Sequence, residues 1–428
     1  METKYDIAIV GGGVIGILTS LVLAKLDCKI IHIERNELEL QDDNRSLAVS
    51  YSSIAFLNTL ELWDKVASFT QPIQKVHISD KGKYGRAEIF AKDENLPFLG
   101  AIVPMKELLK AGLKAVADNP KITKSFATNV VDVKKYNDEY SLIVKNTSQE
   151  KAQYEIHSKL IIGCDGANSS IRNMLNVSAT TNDYNQDAIV FDIKSDIEHS
   201  NTAFERFMSD GVLAMLPKTN KIMGCVWTVD RSESKAKLKL DNPQFEALLQ
   251  ERFGYRLGNL KLVSKPKVFP LHLIQSDDIY KDNVLFFGNA LHFLHPVSGQ
   301  GLNLSIRDIG CLYDLLVNNE NKIKALNNYP IERGADRQSM VATSNFSQSK
   351  IQSILAEFAK TRKLDHDRTI KVTHGFVKWF VSNDPLFSIS RNVGLHLLQR
   401  SKFAKKVLSR VMMGKLSKGS TLMRKVVE

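Results

Sequence analysis

A glycine-rich loop near residue 11 has the spacing of a dinucleotide-binding turn. The run Gly11-Gly12-Gly13-Val14-Ile15-Gly16 fits G-x-G-x-x-G and lies between a strand-like and a helix-like segment. In this pattern the first glycine permits a tight turn, the second lets a pyrophosphate approach the backbone, and the third lets the helix pack on the strand. The helix would direct free N–H groups and its positive dipole end at the phosphates. The residues assigned to this site are Gly11, Gly13, Val14 and Gly16.

An acidic residue completes the pattern. Glu34 ends the second strand-like segment, eighteen residues after Gly16. A carboxylate in this place accepts hydrogen bonds from ribose hydroxyls, and we assign Arg35 beside it to the same site. The combination predicts a bound ADP group, although it does not distinguish NAD from FAD. The alternative is a glycine-rich turn that binds no ligand.

A second motif follows a later buried strand and reads Gly163-Cys164-Asp165-Gly166-Ala167-Asn168-Ser169. An Asp-Gly turn there places a carboxylate and open backbone at the end of the strand. A ligand could contact Asp165 and Gly166 there. The alternative is a simple turn in which Asn168 or Ser169 caps the next helix.

The third motif, residues 288–303, reads GNALHFLHPVSGQGLN and again stands between a buried strand and a helix. Its proline and its G-x-G pair restrict the backbone to a close approach to a planar ligand. A helix starting near Gly301 would stabilise negative charge on a reduced isoalloxazine ring. Asn289 can donate to and accept from ribityl hydroxyls. The residues assigned to the cofactor here are Gly288, Asn289, Pro296, Gly299, Gln300, Gly301, Leu302 and Asn303.

In this order and spacing, the motifs resemble those of the class A FAD-dependent aromatic hydroxylases, which share the p-hydroxybenzoate hydroxylase fold. The resemblance spans roughly residues 4–345. The family's third motif usually begins Gly-Asp, whereas this chain has Asn289. That departure, together with Leu294-His295-Pro296, resembles the ubiquinone-biosynthesis branch, most closely the 2-octaprenyl-6-methoxyphenol hydroxylases. The resemblance implies that Asp165 and Gly166 belong to the cofactor site, through a motif associated with both FAD and NAD(P)H. It also implies that Arg45 lies near the flavin ribityl and phosphates and that the backbone at Val130 touches the adenine; a surface ion pair and a core valine are the alternatives.

The resemblance also implies an activity. NAD(P)H would reduce FAD, the reduced flavin would capture O₂ as a C4a-hydroperoxide, and the ring of a polyprenylated phenol would be hydroxylated. The cofactor carries the difficult step, so neither a side-chain nucleophile nor a metal site is predicted. His292 or His295, in the third motif, is a candidate base for ionising the phenol, or a residue that holds the loop. Two other functions stay open: hydroxylation of a small soluble aromatic, and a non-catalytic FAD-binding scaffold, which Asn289 favours.

Particular elements must position these motifs. Residues 5–10, 14–26 and 29–33 predict a βαβ unit, and a single helix is predicted over 51–66. Within the strand-rich block, the pattern predicts one helix, at about 243–253. The predicted fold is α/β, a Rossmann-like FAD-binding domain with an interleaved strand-rich substrate domain and a helical C-terminal segment. The predicted divisions are FAD-binding parts at 1–185 and 276–345, a substrate domain at 186–275, and a helical region at 346–428 with a basic tail at 389–428.

The formal charge of +11 is concentrated at the end of the chain. Residues 389–428 hold ten Lys/Arg and one acid, a balance of +9, so the other 388 of the 428 residues carry +2. This argues against a nucleic-acid footprint across the fold. Four widely spaced cysteines exclude a disulfide scaffold and fit a reducing compartment. Without a signal-peptide pattern, the predicted location is cytoplasmic, and the uncharged run from Ile7 to Ala24, which contains four glycines, favours a strand, turn and helix over a membrane span.

On a helical wheel, residues 402–413 separate into two halves. The apolar half contains Phe403, Val407, Leu408, Val411 and Met412. The basic half contains Lys402, Lys405, Lys406 and Arg410. This suits a helix on an anionic membrane surface, so peripheral contact is predicted through 389–428. The alternative is a solvated terminal helix packed on its own domain. The protein partners left open are a second copy of the chain and a ubiquinone-biosynthesis complex.

Overall fold

The structure is a computed structural model that describes residues 3–37, 45–136, 139–147, 153–208, 210–296, 299–327, 347–381, 385–413 and 419–423. The strands are β1 (Lys4–Val10), β2 (Ile30–Ile33), β3 (Ser46–Ser50), β4 (Gln71–Ile73), β5 (Lys75–Asp80), β6 (Arg86–Phe90), β7 (Gly100–Pro104), β8 (Ile122–Ser125), β9 (Thr128–Tyr136), β10 (Glu139–Asn146), β11 (Gln153–Gly163), β12 (Ala179–Ser195), β13 (Thr202–Met208), β14 (Gly211–Thr219), β15 (Ile222–Asp230), β16 (Leu260–Leu262), β17 (Lys267–Ser276), β18 (Tyr280–Lys281), β19 (Val284–Phe286) and β20 (His292–Phe293). The helices are α1 (Val14–Leu23), α2 (Tyr51–Thr59), α3 (Trp63–Val66), α4 (Met105–Asp118), α5 (Ser170–Met174), α6 (Arg231–Leu238), α7 (Asn242–Phe253), α8 (Gln300–Asn327), α9 (Gln348–Val381), α10 (Pro385–Arg400) and α11 (Lys402–Met412).

The first sheet brings the three motifs together. Its central strands are parallel, in the order β19-β11-β1-β2-β8. Both faces of β1 are covered, and Ile7, Ala8 and Ile9 are fully buried, which is why this strand is a continuous apolar run. The neighbouring strands β1, β11 and β19 lead at their carboxyl ends into the first, second and third motifs. Because carboxyl ends of parallel strands share one edge, the motifs meet there.

The second sheet combines strands that are distant in sequence. Its order is β20-β17-β12-β15-β14-β13-β5-β6, with β16 beside β12. Most strands come from the block predicted to be strand-rich, but β5 and β6 come from residues 75–90, within the range assigned to the FAD-binding domain. Parallel pairing of β13 with β5 makes this connection. Local alternation cannot reveal such pairing, and the division of the chain into domains by residue range stays a prediction.

The two faces of the second sheet have different surroundings. On one face Ile189, Phe191 and Trp227 pack against Phe245 of α7 in a buried cluster. Alternate residues point to the opposite face. That opposite face lies over the motif loops and forms one wall of the cleft described below.

Two helical segments differ from the sequence prediction. The helix predicted over 51–66 is divided into α2 and α3, because Glu61 has a left-handed backbone (φ 55°) through which a helix cannot continue. Helix α6 is not predicted by the pattern. The Asp230 side chain caps it by accepting from the Ser232 N–H, and an ion pair joins Lys237 to Glu233 one turn earlier. A mostly polar helix has no apolar stripe that would reveal it.

The C-terminal helices pack on the rest of the fold. Leu355 and Phe358 of α9 join the core beside α8, and Leu408 of α11 packs on the cluster that contains β5 and β6. Across the described ranges, no helix is both long enough and apolar enough to span a bilayer. The uncharged run from Ile7 to Ala24 is divided between β1 and α1.

Candidate active site

A cleft of about 440 Å³ lies between the motif loops and the inner face of the second sheet. All three motifs reach it, through Gly13, Gly166 and Gly301. The opposite wall, here called the roof, is mostly apolar; its members include Ala188, Val190, Leu216, Val226, Phe269 and Leu271. Segments far apart in sequence therefore form a single site.

The motif glycines fall into two groups according to what a side chain would meet. A Cβ on Gly16 would lie 1.8 Å from the Gly11 carbonyl oxygen, and one on Gly11 would lie 2.5 Å from the Cys164 oxygen. These two glycines are required by the protein's own packing. By contrast, a Cβ on Gly13, Gly166 or Gly301 meets no atom of the described chain within 4 Å. These three face the cleft, which leaves a backbone cradle for a closely bound ligand.

Two helix N-termini face the same cradle. Helix α1 follows Gly13, which provides no side-chain cap, and Val14 in its first turn lines the cleft. Helix α8 begins at Gln300, and Gly301 and Leu302 in its first turn line the cleft. Both helices therefore present N–H groups and positive dipole ends to anionic parts of a ligand.

Asp165 stands in the sequence between two residues that line the cleft, Cys164 and Gly166. Its Oδ2 accepts hydrogen bonds from the Ser170 N–H at 2.7 Å and the Ile171 N–H at 3.2 Å. Ser169 caps α5 by accepting from the Arg172 N–H, so the helix-cap interpretation of this motif is correct for Ser169. The second oxygen of Asp165, Oδ1, is buried and makes no hydrogen bond to the described residues. An orphaned buried carboxylate oxygen fits a ligand hydroxyl.

The other predicted cofactor residues lie in different environments. Glu34 accepts hydrogen bonds from the backbone N–H groups of Gly12 and Asn36, so its carboxylate adjoins the first loop. The Arg45 guanidinium lines the cleft and lies 5.6 Å from the centre of the Phe269 ring. Arg35 is exposed, and the side chain of Val130 is buried in the core beside the first sheet.

The third motif is held in place by an asparagine clamp. Asn303 Nδ2 donates to the carbonyl oxygens of Ala48 and Gly299 at 2.9 and 2.8 Å, and its Oδ1 accepts from the Ser50 N–H at 2.9 Å. Gly299 has a left-handed backbone (φ 58°), and a Cβ there would lie 2.8 Å from that of Ala48. Asn303 therefore positions the loop through backbone contacts. Gly288 is left-handed too (φ 60°), Gln300 is buried, and Asn289 and Pro296 are exposed at the cleft.

Neither candidate base is among the described residues that line the cleft. His295 is buried, with its ring centre 5.1 Å from that of Tyr184. His292 is buried with its Nε2 3.7 Å from Oδ2 of Asp308. The other oxygen of Asp308 accepts from Arg362 Nε at 2.6 Å and lies 2.7 Å from His366 Nε2. A catalytic role for the two histidines stays a prediction.

His292 thus adjoins a buried charged cluster between α8 and α9, which sequence reasoning missed. Its charged members are two acids and two arginines, Asp308, Asp365, Arg307 and Arg362, so their formal charges cancel. Burial opposes ionisation of Asp308, yet His366 and Arg362 outweigh burial and hold its pKa well below the usual range. In the sequence, this cluster could have been recognised from the spacing of Arg362, Asp365 and His366, which places three ionisable side chains on one face of a helix.

The ligand atoms of His292, Asp308 and His366 lie within 4.8 Å of one another, a donor set that a divalent cation could use. We assign no metal to them, because Arg362 already neutralises the Asp308 carboxylate at hydrogen-bond distance. A divalent cation would add uncompensated positive charge to a buried cluster whose arginines and acids are balanced.

Replacing His295 with Gln is expected to remove an acid-sensitive contribution to folding. Burial lowers the pKa of His295 from 6.5 to about 3, so between these values the unfolded chain binds a proton that the folded chain does not. Wild-type stability therefore falls as the pH drops below 6.5, by about 2 kcal/mol from this group at pH 5. Gln does not titrate, so the free energy of unfolding of His295→Gln should rise by that amount relative to wild type as the pH is lowered from 7 to 5.

Urea unfolding at the two pH values measures this change. His396→Gln, at an exposed position on α10, is the control substitution. A difference between His295→Gln and wild type that stays constant from pH 7 to pH 5 would mean that His295 accepts a proton inside the fold, and the burial argument would then be wrong.

Comparisons with known proteins agree with this architecture. A protein-family model for the FAD binding domain matches residues 4–363. The chain is 26% identical over 423 residues to ubiquinone hydroxylase UbiL of Rhodospirillum rubrum, covering 97% of this chain and 90% of that protein. It is 28% identical over 334 residues to 3-demethoxyubiquinol 3-hydroxylase of Escherichia coli K12, covering 76% and 83%. The crystal structure of PqsL from P. aeruginosa with 2-aminobenzoylacetate has a TM-score of 0.72 at 17% identity, over 92% of this chain and 99% of that one, a likeness of fold.

Proposed function

The chain belongs to the FAD-binding-domain family, and from this membership we propose that it is an FAD-dependent monooxygenase that hydroxylates a polyprenylated phenol in ubiquinone biosynthesis. NAD(P)H and O₂ are its co-substrates. Similarity to UbiL over nearly the whole chain supports the pathway. The observation that carries the proposal is the meeting of three cofactor motifs in one cleft under an apolar roof.

When bound, FAD would carry electrons from NAD(P)H to O₂, which is the oxidant of the hydroxylation. The chain supplies the binding surface. The first turn of α1 would hold the pyrophosphate, Oδ1 of Asp165 would accept from a hydroxyl of the flavin side chain, and the first turn of α8 would lie beside the ring. The apolar roof takes the aromatic substrate and excludes water from the reacting atoms. The open glycines Gly13, Gly166 and Gly301 fit this cofactor, because each leaves room for it at the backbone.

Quinone intermediates extracted from a strain that lacks this gene test the pathway. Accumulation of a polyprenylated phenol that awaits hydroxylation is the expected result, and its ring pattern identifies the position that is modified. A normal quinone pool would contradict the proposal and favour a small soluble aromatic substrate. Purified protein that binds FAD but neither oxidises NAD(P)H nor consumes O₂ would favour the non-catalytic scaffold.

The surface formed by α10 and α11 supports membrane contact by this enzyme. Phe403 and Val407, one turn apart on α11, are 78% and 39% exposed, and Val393 and Leu397 on α10 are 51% and 61% exposed. Helix α11 also carries three exposed basic side chains, Lys402, Lys406 and Arg410. Leu408, predicted on the same apolar face, is instead partly buried and packs against the cluster that contains β5 and β6. Apolar side chains flanked by cations match an anionic bilayer surface, where a polyprenylated substrate resides.

Replacing Phe403 and Val407 with Ser together is expected to lower binding to anionic vesicles by at least about tenfold, because two apolar side chains would no longer insert. Point variants are preferable to removal of 401–428, since Met413 and Leu422 are buried in the fold. Co-sedimentation with vesicles measures binding, and Tyr255→Ser, at another exposed aromatic (73%), is the control. Equal sedimentation of the double variant and the control would argue that α11 only packs on its own domain.

A further inference from the structure

We propose that Lys218 and Asp192 form the site that binds the phenolic oxygen of the substrate, an inference that rests on the proposed function. Both side chains line the cleft from the second sheet. Lys218 Nζ lies 2.9 Å from each carboxylate oxygen of Asp192. The two side chains are 20% and 21% exposed, so the pair is accessible from the cleft but largely removed from solvent.

The ion pair lies on a surface that is otherwise mostly apolar. Strand alternation places Asp192 on the same face of β12 as Ala188 and Val190, and Leu216 and Val226 line the cleft beside them. An ion pair in such a place is weak support for stability, since desolvation of the charges offsets much of their attraction. A polar pair among apolar groups is typical of the groups that orient a ligand in a pocket.

Local backbone features direct the pair into the cleft. Lys218 is the extra residue where the register of β14 and β15 shifts between Pro217 and Thr219. Such bulges redirect side chains and are common beside active sites. Gly224, the cross-strand neighbour of Asp192, has no side chain, and a Cβ there would lie 3.4 Å from Lys218 Cε. The Lys218 stem thus crosses the sheet over Gly224 to reach the carboxylate.

The other ionisable groups among the described cleft residues are less suited to this role. Burial raises the pKa of the thiols of Cys164 and Cys225, so both stay neutral. Arg45 lies over the Phe269 ring, and the family resemblance assigns its guanidinium to the cofactor. Lys218 and Asp192 provide a strong donor and a strong acceptor at one point of the roof.

The chemistry requires no bond to form or break at this pair. The substrate hydroxyl donates to Asp192, and Lys218 donates to the same phenolic oxygen. Withdrawing the hydroxyl proton toward the carboxylate increases electron density on the ring, which favours attack on an electrophilic oxygen, and the ammonium group holds the oxygen in one place. The pair therefore both recognises a phenol and orients its ring.

Substrate binding to the FAD-loaded enzyme tests the inference without turnover. The probe is a 2-prenylated phenol with a short isoprenoid chain, titrated while the visible flavin spectrum is recorded, and its O-methyl ether is the matched ligand without the hydroxyl. Lys218→Met and Asp192→Asn are each expected to weaken phenol binding about tenfold to a hundredfold, the loss of a charge-assisted hydrogen bond. Binding of the ether should change little.

Lys75→Met is the matched control, because Lys75 pairs with Glu88 across neighbouring strands of the same sheet, at 29% and 22% exposure and outside the cleft lining. The double variant Lys218→Met/Asp192→Asn is used if a single variant leaves an unpaired charge that prevents folding. Unchanged phenol binding, or equal loss for phenol and ether, overturns the inference and leaves the proposed function intact. Wild-type enzyme that neither binds nor hydroxylates the phenol overturns both.

Discussion

Gly13→Ala is expected to give a folded protein that has lost most of its affinity for FAD. A methyl group at this position meets no described atom within 4 Å, so the fold has room for it. The same methyl projects into the cradle where the pyrophosphate must approach the backbone. Forcing a methyl group into a close contact costs about 1–3 kcal/mol, which corresponds to roughly a fivefold to 150-fold weaker Kd for FAD.

Fluorescence titration of the apoprotein with FAD, together with thermal unfolding without cofactor, measures both parts of this expectation. Gly375→Ala is the matched control, because that glycine on α9 is equally open but is not among the described cleft residues. Gly16→Ala should behave differently, since its methyl would lie 1.8 Å from the Gly11 oxygen and prevent α1 from packing. Wild-type FAD affinity in Gly13→Ala would show that Gly13 does not face the cofactor.

Arg362→Leu is expected to lower the free energy of unfolding by about 3–5 kcal/mol, because it leaves a buried carboxylate without its partner. Arg362 is 4% exposed and bonds both Asp308 and Asp365 at 2.6 Å. Burial lowers the pKa of His366, and the Arg362 charge lowers it further. Without Arg362, His366 therefore takes up a proton more readily as the pH falls, and this proton replaces part of the lost positive charge beside Asp308. The stability difference between Arg362→Leu and wild type should consequently become smaller at lower pH.

Urea unfolding of the apoprotein at pH 8 and pH 6 measures this effect. Lys363→Leu is the control on the same helix: its ion pair with Asp367 spans 3.9 Å, the lysine is 74% exposed, and a change within about 0.5 kcal/mol is expected. A loss in Arg362→Leu no larger than that of the control would mean that the buried cluster does not hold α9 on α8.

The local backbone geometry of the three motifs could be predicted from the sequence, because it depends on residues close to one another in the chain. A tight turn at Gly11, a cap at Ser169 and a helix starting near Gly301 depend on residues within a few positions, and the structure contains each of them. The parallel order β19-β11-β1 then brings the three segments together. Turns, helix starts and strand ends can be predicted from the sequence because each depends on the pattern of nearby residues.

Other features depended on contacts between distant segments. The second sheet includes β5 and β6 because β5 pairs with β13. Alternation of apolar and polar residues along a strand does not indicate which distant strand it pairs with. Likewise, the predicted apolar face of α11 is divided, with Phe403 exposed and Leu408 packed against the domain, because a helical wheel cannot show which side meets the domain.

The sequence by itself predicted a dinucleotide-binding turn and the α/β architecture from glycine spacing, strand ends and helix starts, and the resemblance to the class A hydroxylases added FAD as the cofactor. Tertiary structure alone decided which ionisable groups face one another. Asp308 with Arg362, and Asp192 with Lys218, are joined by packing and strand register. Tertiary structure also placed His292 and His295 beside buried neighbours rather than on the described cleft lining. The physical reason is that the environment of a charge is set by whatever packs against it, and that partner can come from any part of the chain.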